Sequence, residues 1–461
     1  MCGIIGILDR DGHAAELAFE GLHYLQHRGQ ETAGICSTDG ERLHLVTGPG
    51  RVTNVFNPDV LAGLEGFAAI GHTRYSTAGG PGRENSQPLL ADTKFGRVAV
   101  VHNGNLTNEH ANRRDLVRKG AIFSSTSDTE IILHRLAHSR AETMCGAIED
   151  ALRQVEGAYS LVFLLNDRII AVRDPNGFRP LVVGQKDGLT VVASETVALD
   201  LLRVDSRYEV GPGAMFTAFR EGAFSIRQIQ EPARQYQCSF EHVYFARPDS
   251  MVYGRYVNES RTIMGQILAR EHPADADIVV PVPDSGNFAA QGYAEEARLP
   301  YRMGLTRNHN SDRSFILPSQ ASRDSTVRRK LNPVRNILDG KRIVLVDDSI
   351  VRGTTIRRII RMVRQAGAAK VHVRVSSPPI IGSCYYGLDT KRTADLIAHT
   401  KSTDEIASYI EADSLGYLSL EGLRTAVEDK SNFCYSCFTG DYPLEDDAKL
   451  LQIERRHKVT A

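Results

Sequence analysis

The stretch RIVLVDDSIVRGTT, Arg342 to Thr355, carries the sharpest signal in the chain. Its apolar, β-branched run Ile343-Val344-Leu345-Val346 reads as a strand buried on both faces. Two carboxylates follow at once, Asp347 and Asp348, then a loop with Ser349, Arg352, Gly353, Thr354 and Thr355, then a basic helical segment from Ile356. A strand that runs through a small-residue loop into a helix presents backbone N–H groups and a helix N-terminus to an anion. Paired aspartates are a poor lining for phosphate alone; they suit sugar hydroxyls or a magnesium-bound polyol. A buried strand capped by a turn is the bland alternative, but two adjacent acids after an apolar strand are costly without a ligand.

The composition sets the bounds around this stretch. A length of 461 residues favours two or three domains, and 42% hydrophobic with 24% charged residues is an ordinary globular balance. The net charge of −1, from 55 basic against 56 acidic residues, points to neither nucleic acid nor an anionic membrane as partner. No apolar run approaches the roughly 18–20 residues needed to cross a bilayer. The start, MCGIIGILDR, lacks a basic leader segment and is broken at Asp9, so a secretory signal is not expected and the expected location is cytoplasmic. There, seven cysteines suggest catalysis or metal binding before disulfides.

Cys2 follows Met1 and precedes an apolar run, Gly3 to Ile7, that reads as a buried strand. Removal of Met1 would give Cys2 a thiol nucleophile and a free α-amine whose ordinary pKa, near 8, fits it to act as general base. Four later segments supply what amide hydrolysis of an amino acid needs: HRGQETAG (His27–Gly34), GHTRYSTAG (Gly71–Gly79), HNGNL (His102–Leu106) and SSTSDTE (Ser124–Glu130). Arg74 suits an α-carboxylate through its bidentate fork, and Asp128 suits an α-ammonium. The Asn103 side chain and the Gly104 N–H suit the oxyanion of a tetrahedral intermediate. His102 reads as structural, and Arg28 and Tyr75 as latches over a bound substrate. Expected strands include Val98–Val101, Ser160–Leu165 and Leu189–Ala193, with a helix over Asp128–His138 that buries one face.

Cys2 with these segments resembles the class II glutamine amidotransferase domain, an N-terminal-nucleophile hydrolase. The resemblance implies a four-layer αββα sandwich over residues 2–232 that hydrolyses glutamine. The opening stretch looks like the motif by which type I phosphoribosyltransferases bind 5-phosphoribosyl 1-diphosphate (PRPP), implying a doubly wound parallel sheet over 233–445 and a charged tail, 446–461. Within it, Ile278-Val279-Val280 reads as a strand that feeds the loop Pro283-Asp284-Ser285-Gly286. With CSFEHVYFARPDS (Cys238–Ser250) and VRVSSPPI (Val373–Ile380), the whole chain to about residue 445 is similar to the amidophosphoribosyltransferase family.

That resemblance implies transfer of ammonia from glutamine to C1 of PRPP, giving 5-phosphoribosylamine, glutamate and diphosphate at the first committed step of purine synthesis. It implies Asp284, Ser285 and Gly286 at the diphosphate, Asp347 and Asp348 at the ribose hydroxyls and magnesium, and Ser349 to Thr355 around the 5′-phosphate. It also implies a homotetramer inhibited by purine nucleotides. The basic stretch Thr306 to Arg335 would be a mobile loop closing over PRPP; a nucleic-acid patch is the bland alternative. Cys238, Cys384 and the C-x-x-C pair Cys434 and Cys437 suit zinc or an iron–sulfur cluster on residue type alone. The iron–sulfur branch of the family has cysteines in the same contexts, which implies a structural 4Fe–4S cluster. Cys36 and Cys145 read as packing residues.

The chain departs from the family at Arg307 to Phe315, RNHNSDRSF, where the usual segment resembles KNRYVGRTF, and at Asn258, where a tyrosine is frequent. These changes admit a second reading, a specialised paralogue with the same glutaminase and another acceptor or product. A PRPP-sensing regulator is a third, but it has no use for Cys2, Arg74, Asn103 and Asp128.

Overall fold

The computed structural model describes residues 1–75, 82–231, 234–308, 331–388 and 393–444. Strand Gly3–Asp9 organises the first half. Its side chains alternate: Ile4 and Leu8 enter a core between two sheets, whereas Ile5 and Ile7 face a layer of helices. This is the two-residue period of a strand with both faces buried. The strand lies at the centre of a seven-stranded antiparallel sheet, between Leu189–Ala193 and Ala68–Arg74. Gly6 lets the second sheet approach, since a Cβ there would lie 2.9 Å from Val162 Cγ1.

The second sheet has six strands, with Gly96–Leu106 paired to Gly157–Leu164 near its middle. Ala99 and Val101 face the inter-sheet core, and Val98 and Val100 face the helices Thr129–His138 and Met144–Leu152. Helix Ala14–Tyr24 covers the outer face of the first sheet. The result is a four-layer αββα sandwich. The expected strand Leu189–Ala193 is found with those ends, Val98–Val101 lies inside a longer strand, and the expected helix runs over Thr129–His138 with Asp128 as its N-cap.

The second half is a parallel sheet in the order Ile278–Pro281, Arg342–Asp347, Lys370–Val375, Ser414–Tyr417. Ile343 and Leu345 pack toward helix Thr354–Gln365, and Val344 and Val346 toward helices Val257–Glu271 and Asn287–Ala297. Those two helices meet backbone to backbone. A Cβ at Gly265 would lie 1.9 Å from Ala289 O, and one at Gly292 1.9 Å from Thr262 O. Helices on both faces give the doubly wound arrangement, whose ligand side is the carboxyl edge of the strands.

The halves are joined by more than the chain. Residues 232 and 233, where the expected boundary falls, lie outside the described residues, as does the expected tail. Phe178 of the turn-rich segment Arg173–Pro180 stacks on Tyr386 with ring centroids 4.2 Å apart, and Cys238 N donates to Phe178 O at 3.2 Å. Among the described residues no helix is long and apolar enough to cross a membrane.

Candidate active sites

Cys2 lies at the mouth of strand Gly3–Asp9, buried, with its backbone N donating to Asn103 Oδ1 at 3.1 Å. The other end of that amide, Asn103 Nδ2, is buried with no hydrogen-bond partner. A buried donor without an acceptor is rare and calls for a ligand or a strain to explain it. Gly104 follows; a Cβ there would lie 2.0 Å from Ala158 O, so no other residue fits the strand at this point. The thiol of Cys2 lies 3.7 Å from Tyr75 O. Burial pulls the α-ammonium of Met1 down to about 6.

Arg74 ends strand Ala68–Arg74 and is buried, beside Thr32 in the neighbouring strand. Asp128 is also buried and accepts from Leu106 N at 2.9 Å. Burial works against its charge, but His102, 3.6 Å away, and the N–H groups of Leu106 and Thr129 hold its carboxyl below the usual range. His102 is satisfied, with Nδ1 at 3.1 Å from Thr129 Oγ1 and Nε2 at 3.3 Å from Ala158 O. Ser76 to Gly79 of the second segment lie outside the described residues.

Arg28 is not a latch over the site. It is fully buried, its Nε donates to Cys2 O at 3.0 Å, and its two Nη groups grip Glu195 and Glu241. Glu241 belongs to the second half, in a single π-turn, Glu241–Phe245. Glu195 also takes Arg247 N at 2.9 Å and Ser250 Oγ at 2.7 Å. Arg261 closes the π-turn from the far side, donating to His242 O and Ala246 O at 2.8 Å each. Sequence reasoning missed Glu195, Glu241 and Arg261. Single acids among largely apolar neighbours were the available signal for Glu195 and Glu241, and it names no partner.

At the carboxyl edge of the parallel sheet, the loops after Ile278–Pro281 and Arg342–Asp347 meet because their strands are neighbours in register. Ser285 Oγ donates to Asp348 Oδ2 and Ser349 Oγ to Asp348 Oδ1, each at 2.5 Å. Asp347 accepts from Asp348 N at 3.0 Å. Both carboxylates are buried; that burial, and for Asp347 the neighbouring acid, push them above the ordinary range. Gly286 leaves no room for a side chain, its Cβ position being 2.5 Å from Val346 O. Gly353 has a φ of +72°, the left-handed turn that lets helix Thr354–Gln365 begin over the cradle. Asp284 pairs with Arg307, and Arg352 Nη2 lies 3.1 Å from Asp395 Oδ2. Residues 309–330, most of the expected mobile loop and of the departing segment, lie outside the described residues. Asn258 accepts from Glu259 N at 2.7 Å at the start of its helix.

Cys238, Cys384, Cys434 and Cys437 converge at the seam. Cys238 and Cys434 are register partners in a short parallel pair. Burial, then the nearby sulfurs, raise the thiol of Cys437 far above its usual value; Cys434 rises to about 12 by burial first, with Cys238 and Cys384 also acting on it. Among the described residues no three His, Cys, Asp or Glu side chains are spaced to hold one metal ion. A cavity of about 400 Å³ beside this group is lined by Arg234, Arg424, Phe433 and Tyr435 and touches neither of the two sites. Cys36 is buried and Cys145 partly so.

The fold and the two sites define a glutamine amidotransferase joined to a phosphoribosyltransferase. The glutamine amidotransferase domain family matches residues 72–201, and the phosphoribosyl transferase domain family matches 253–379. Amidophosphoribosyltransferase 2, chloroplastic, of Arabidopsis thaliana is 50% identical over 96% of this chain and 79% of its own. The amidophosphoribosyltransferase of Methanocaldococcus jannaschii is 45% identical over 96% of this chain and 98% of its own. The solved glutamine PRPP amidotransferase of Bacillus subtilis, in complex with ADP and GMP, superposes with a TM-score of 0.91 at 44% identity, over 96% of this chain and 98% of that one. The chain belongs to the amidophosphoribosyltransferase family. It is an enzyme of that class, passing the amide nitrogen of glutamine to C1 of PRPP at the first committed step of purine synthesis. Nothing in these likenesses supports another acceptor or product.

Proposed function

We propose that the reaction is divided between two pockets, with Cys2, Asn103, Gly104, Arg74 and Asp128 cleaving glutamine and the cradle of the second half consuming its nitrogen. With Met1 removed, the thiol of Cys2 attacks the carboxamide carbon and its α-amine takes the thiol proton. The observation that carries this reading is Asn103: one end of its amide holds the backbone N of Cys2, and the other, Nδ2, is a buried donor with nothing to bond. It suits the oxygen that becomes negative as the tetrahedral intermediate forms, together with the Gly104 N–H. Arg74 clamps the α-carboxylate and Asp128, held ionised, takes the α-ammonium. Collapse of the intermediate gives the thioester and ammonia, and water releases glutamate.

In the second half, Asp284, Ser285 and Gly286 take the diphosphate, and Ser349, Arg352, Gly353, Thr354 and Thr355 the 5′-phosphate. Asp347 and Asp348 face the ribose hydroxyls and magnesium. The donor set fits that ion: two buried carboxylates backed by the hydroxyls of Ser285 and Ser349 are hard oxygen ligands. Bound magnesium would offset the diphosphate charge as the C1–O bond breaks.

Cys238, Cys384, Cys434 and Cys437 fit a structural 4Fe–4S cluster. The support is four thiols gathered closely enough at the seam to act on one another, a soft sulfur donor set of the kind such clusters use. An anaerobic preparation should be brown, with the broad visible absorption of an iron–sulfur centre; a colourless zinc protein would refute this assignment. Purine nucleotides as feedback ligands, a homotetramer and a cytoplasmic location complete the proposal.

Amide-labelled ¹⁵N-glutamine tests the division, supplied with PRPP, magnesium and excess unlabelled ammonium. The phosphoribosylamine formed should carry the label. Product that takes its nitrogen from the bulk pool would sink the direct transfer.

A further inference from the structure

The oxyanion residues sit on a strand whose next residue reaches across the molecule. Asn105 Nδ2 donates to Tyr385 O at 2.9 Å, over 280 positions of sequence. Two residues on, Gly387 has a φ of +107° and lies flat against the oxyanion glycine: its Cβ position is 3.1 Å from Gly104 C and 3.2 Å from Gly104 Cα. Between them, Tyr386 O accepts from Arg179 Nε at 2.8 Å, and the Tyr386 ring stacks on Phe178. Cys384 closes the segment from its other end, its sulfur accepting from Tyr386 N at 3.3 Å. Gly104 is thus pinched between Ala158 O of its own sheet and the backbone of a loop from the other half.

Resting on the assignment of the oxyanion to Asn103 and Gly104, we propose that segment Cys384–Gly387 is the outer wall of the oxyanion hole and that Asn105 is its positioning residue. Asn105 does not touch the reacting atoms. It holds the strand immediately after Gly104 in place by tying it to Tyr385 O, while Gly387 lies against the Gly104 Cα and carbonyl carbon, so that the glycine bearing the oxyanion N–H is fixed from its C-terminal side. A preorganised donor stabilises charge in the transition state and costs nothing in reorganisation, so its loosening lowers turnover and not substrate affinity. The glutamine site therefore borrows a wall from the phosphoribosyl half, and through Cys384 that wall is anchored in the cysteine group.

The test uses Asn105→Ala and Gly387→Ala in the full chain, with Asn103→Ala as reference. Both wall variants should lower kcat for glutamine cleavage by about ten-fold, less than the roughly 10²–10³-fold that follows outright removal of an oxyanion donor. KM for glutamine and the ammonia-dependent release of diphosphate should stay at wild-type values. The diazoketone analogue of glutamine, whose carbonyl occupies the oxyanion position, should inactivate them about ten-fold more slowly. Iodoacetamide, which alkylates Cys2 by displacement and forms no oxyanion, should react as with wild type. Unchanged kcat in both variants, or a parallel fall of both activities, overturns the wall. If Asn103→Ala itself leaves kcat and diazoketone inactivation untouched, the oxyanion assignment has failed; if Asn103→Ala slows both and the wall variants do not, the wall alone is wrong.

Discussion

In the phosphoribosyl cradle, Asp347, Asp348, Ser349, Gly353 and Thr354 are neighbours in the chain, and the facing loop Pro283–Gly286 is delivered by the adjacent strand of the same sheet. At the glutamine site, Cys2 meets Asn103 across 101 positions and Arg28 meets Glu241 across 213. One pocket is made by local chain geometry on a single sheet. The other is closed by contacts that exist only once both halves have folded and docked. The difference teaches where damage should spread: changes in the cradle stay with PRPP, whereas changes at the seam reach glutamine cleavage.

Removal of the nucleophile should give the largest effect. Cys2→Ala is expected to lower glutamine-dependent diphosphate release by at least about 10³-fold while leaving the ammonia-dependent rate in place. A coupled diphosphate assay with each nitrogen source measures both. Loss of both activities in a folded variant would mean that the pockets do not work separately.

Next comes the buried ion network. Arg28→Met strands the carboxylates of Glu195 and Glu241 in the seam, and removal of one partner from such a network costs about 3–5 kcal/mol. The pH dependence gives the sign. Against the cost of burial, His27 and Arg28 hold the Glu195 carboxyl well below its ordinary range. Its contribution is therefore complete above the unfolded value of about 4.3 and declines as the pH falls below it. Urea midpoints of wild type and Arg28→Met should differ most near neutrality and converge in acid. A gap that ignores pH would trace the loss to packing.

The same contrast explains what could be read without coordinates. The strand and loop of Arg342–Thr355 were legible because a β-branched run, two acids and small polar residues in one stretch leave few local structures open. The apolar run Gly3 to Ile7 marked a buried strand, but only the packed sheets reveal that Ile4 and Leu8 enter one core and Ile5 and Ile7 another. Arg28 looked like a latch because a sequence does not show which arginine will find two acids from other segments. Phe178 and Arg179 sit in a segment rich in Pro and Gly, which advertises a turn and conceals an interface. Asn105 gave no signal of its own, since its partner is a backbone carbonyl, Tyr385 O, and any residue carries one.

The cradle supplies the third effect. Asp348 accepts from Ser285 and Ser349, so it sets both loops at once. Asp348→Asn should reduce kcat/KM for PRPP by roughly 10–100-fold, the scale of a lost hydrogen bond to a charged group. The reduction should be equal with glutamine and with ammonia as nitrogen source. A selective loss of the glutamine-dependent rate would contradict the local character of this pocket.

The smallest effect belongs to Arg352, which tests how far the cradle extends along its loop. Its guanidinium is exposed and lies 3.1 Å from Asp395, and a surface pair of this kind contributes less than about 1 kcal/mol to stability. Arg352→Ala should therefore melt with wild type. If Arg352 leaves Asp395 for the 5′-phosphate when PRPP binds, KM for PRPP should rise several-fold in low salt and converge with wild type as salt screens the charge. Asp395→Ala should then lower KM, because the arginine no longer has a competing partner. An unchanged KM in both variants would assign the 5′-phosphate to the loop N–H groups and the hydroxyls of Thr354 and Thr355, and would confine the cradle to groups that the chain places there by local geometry.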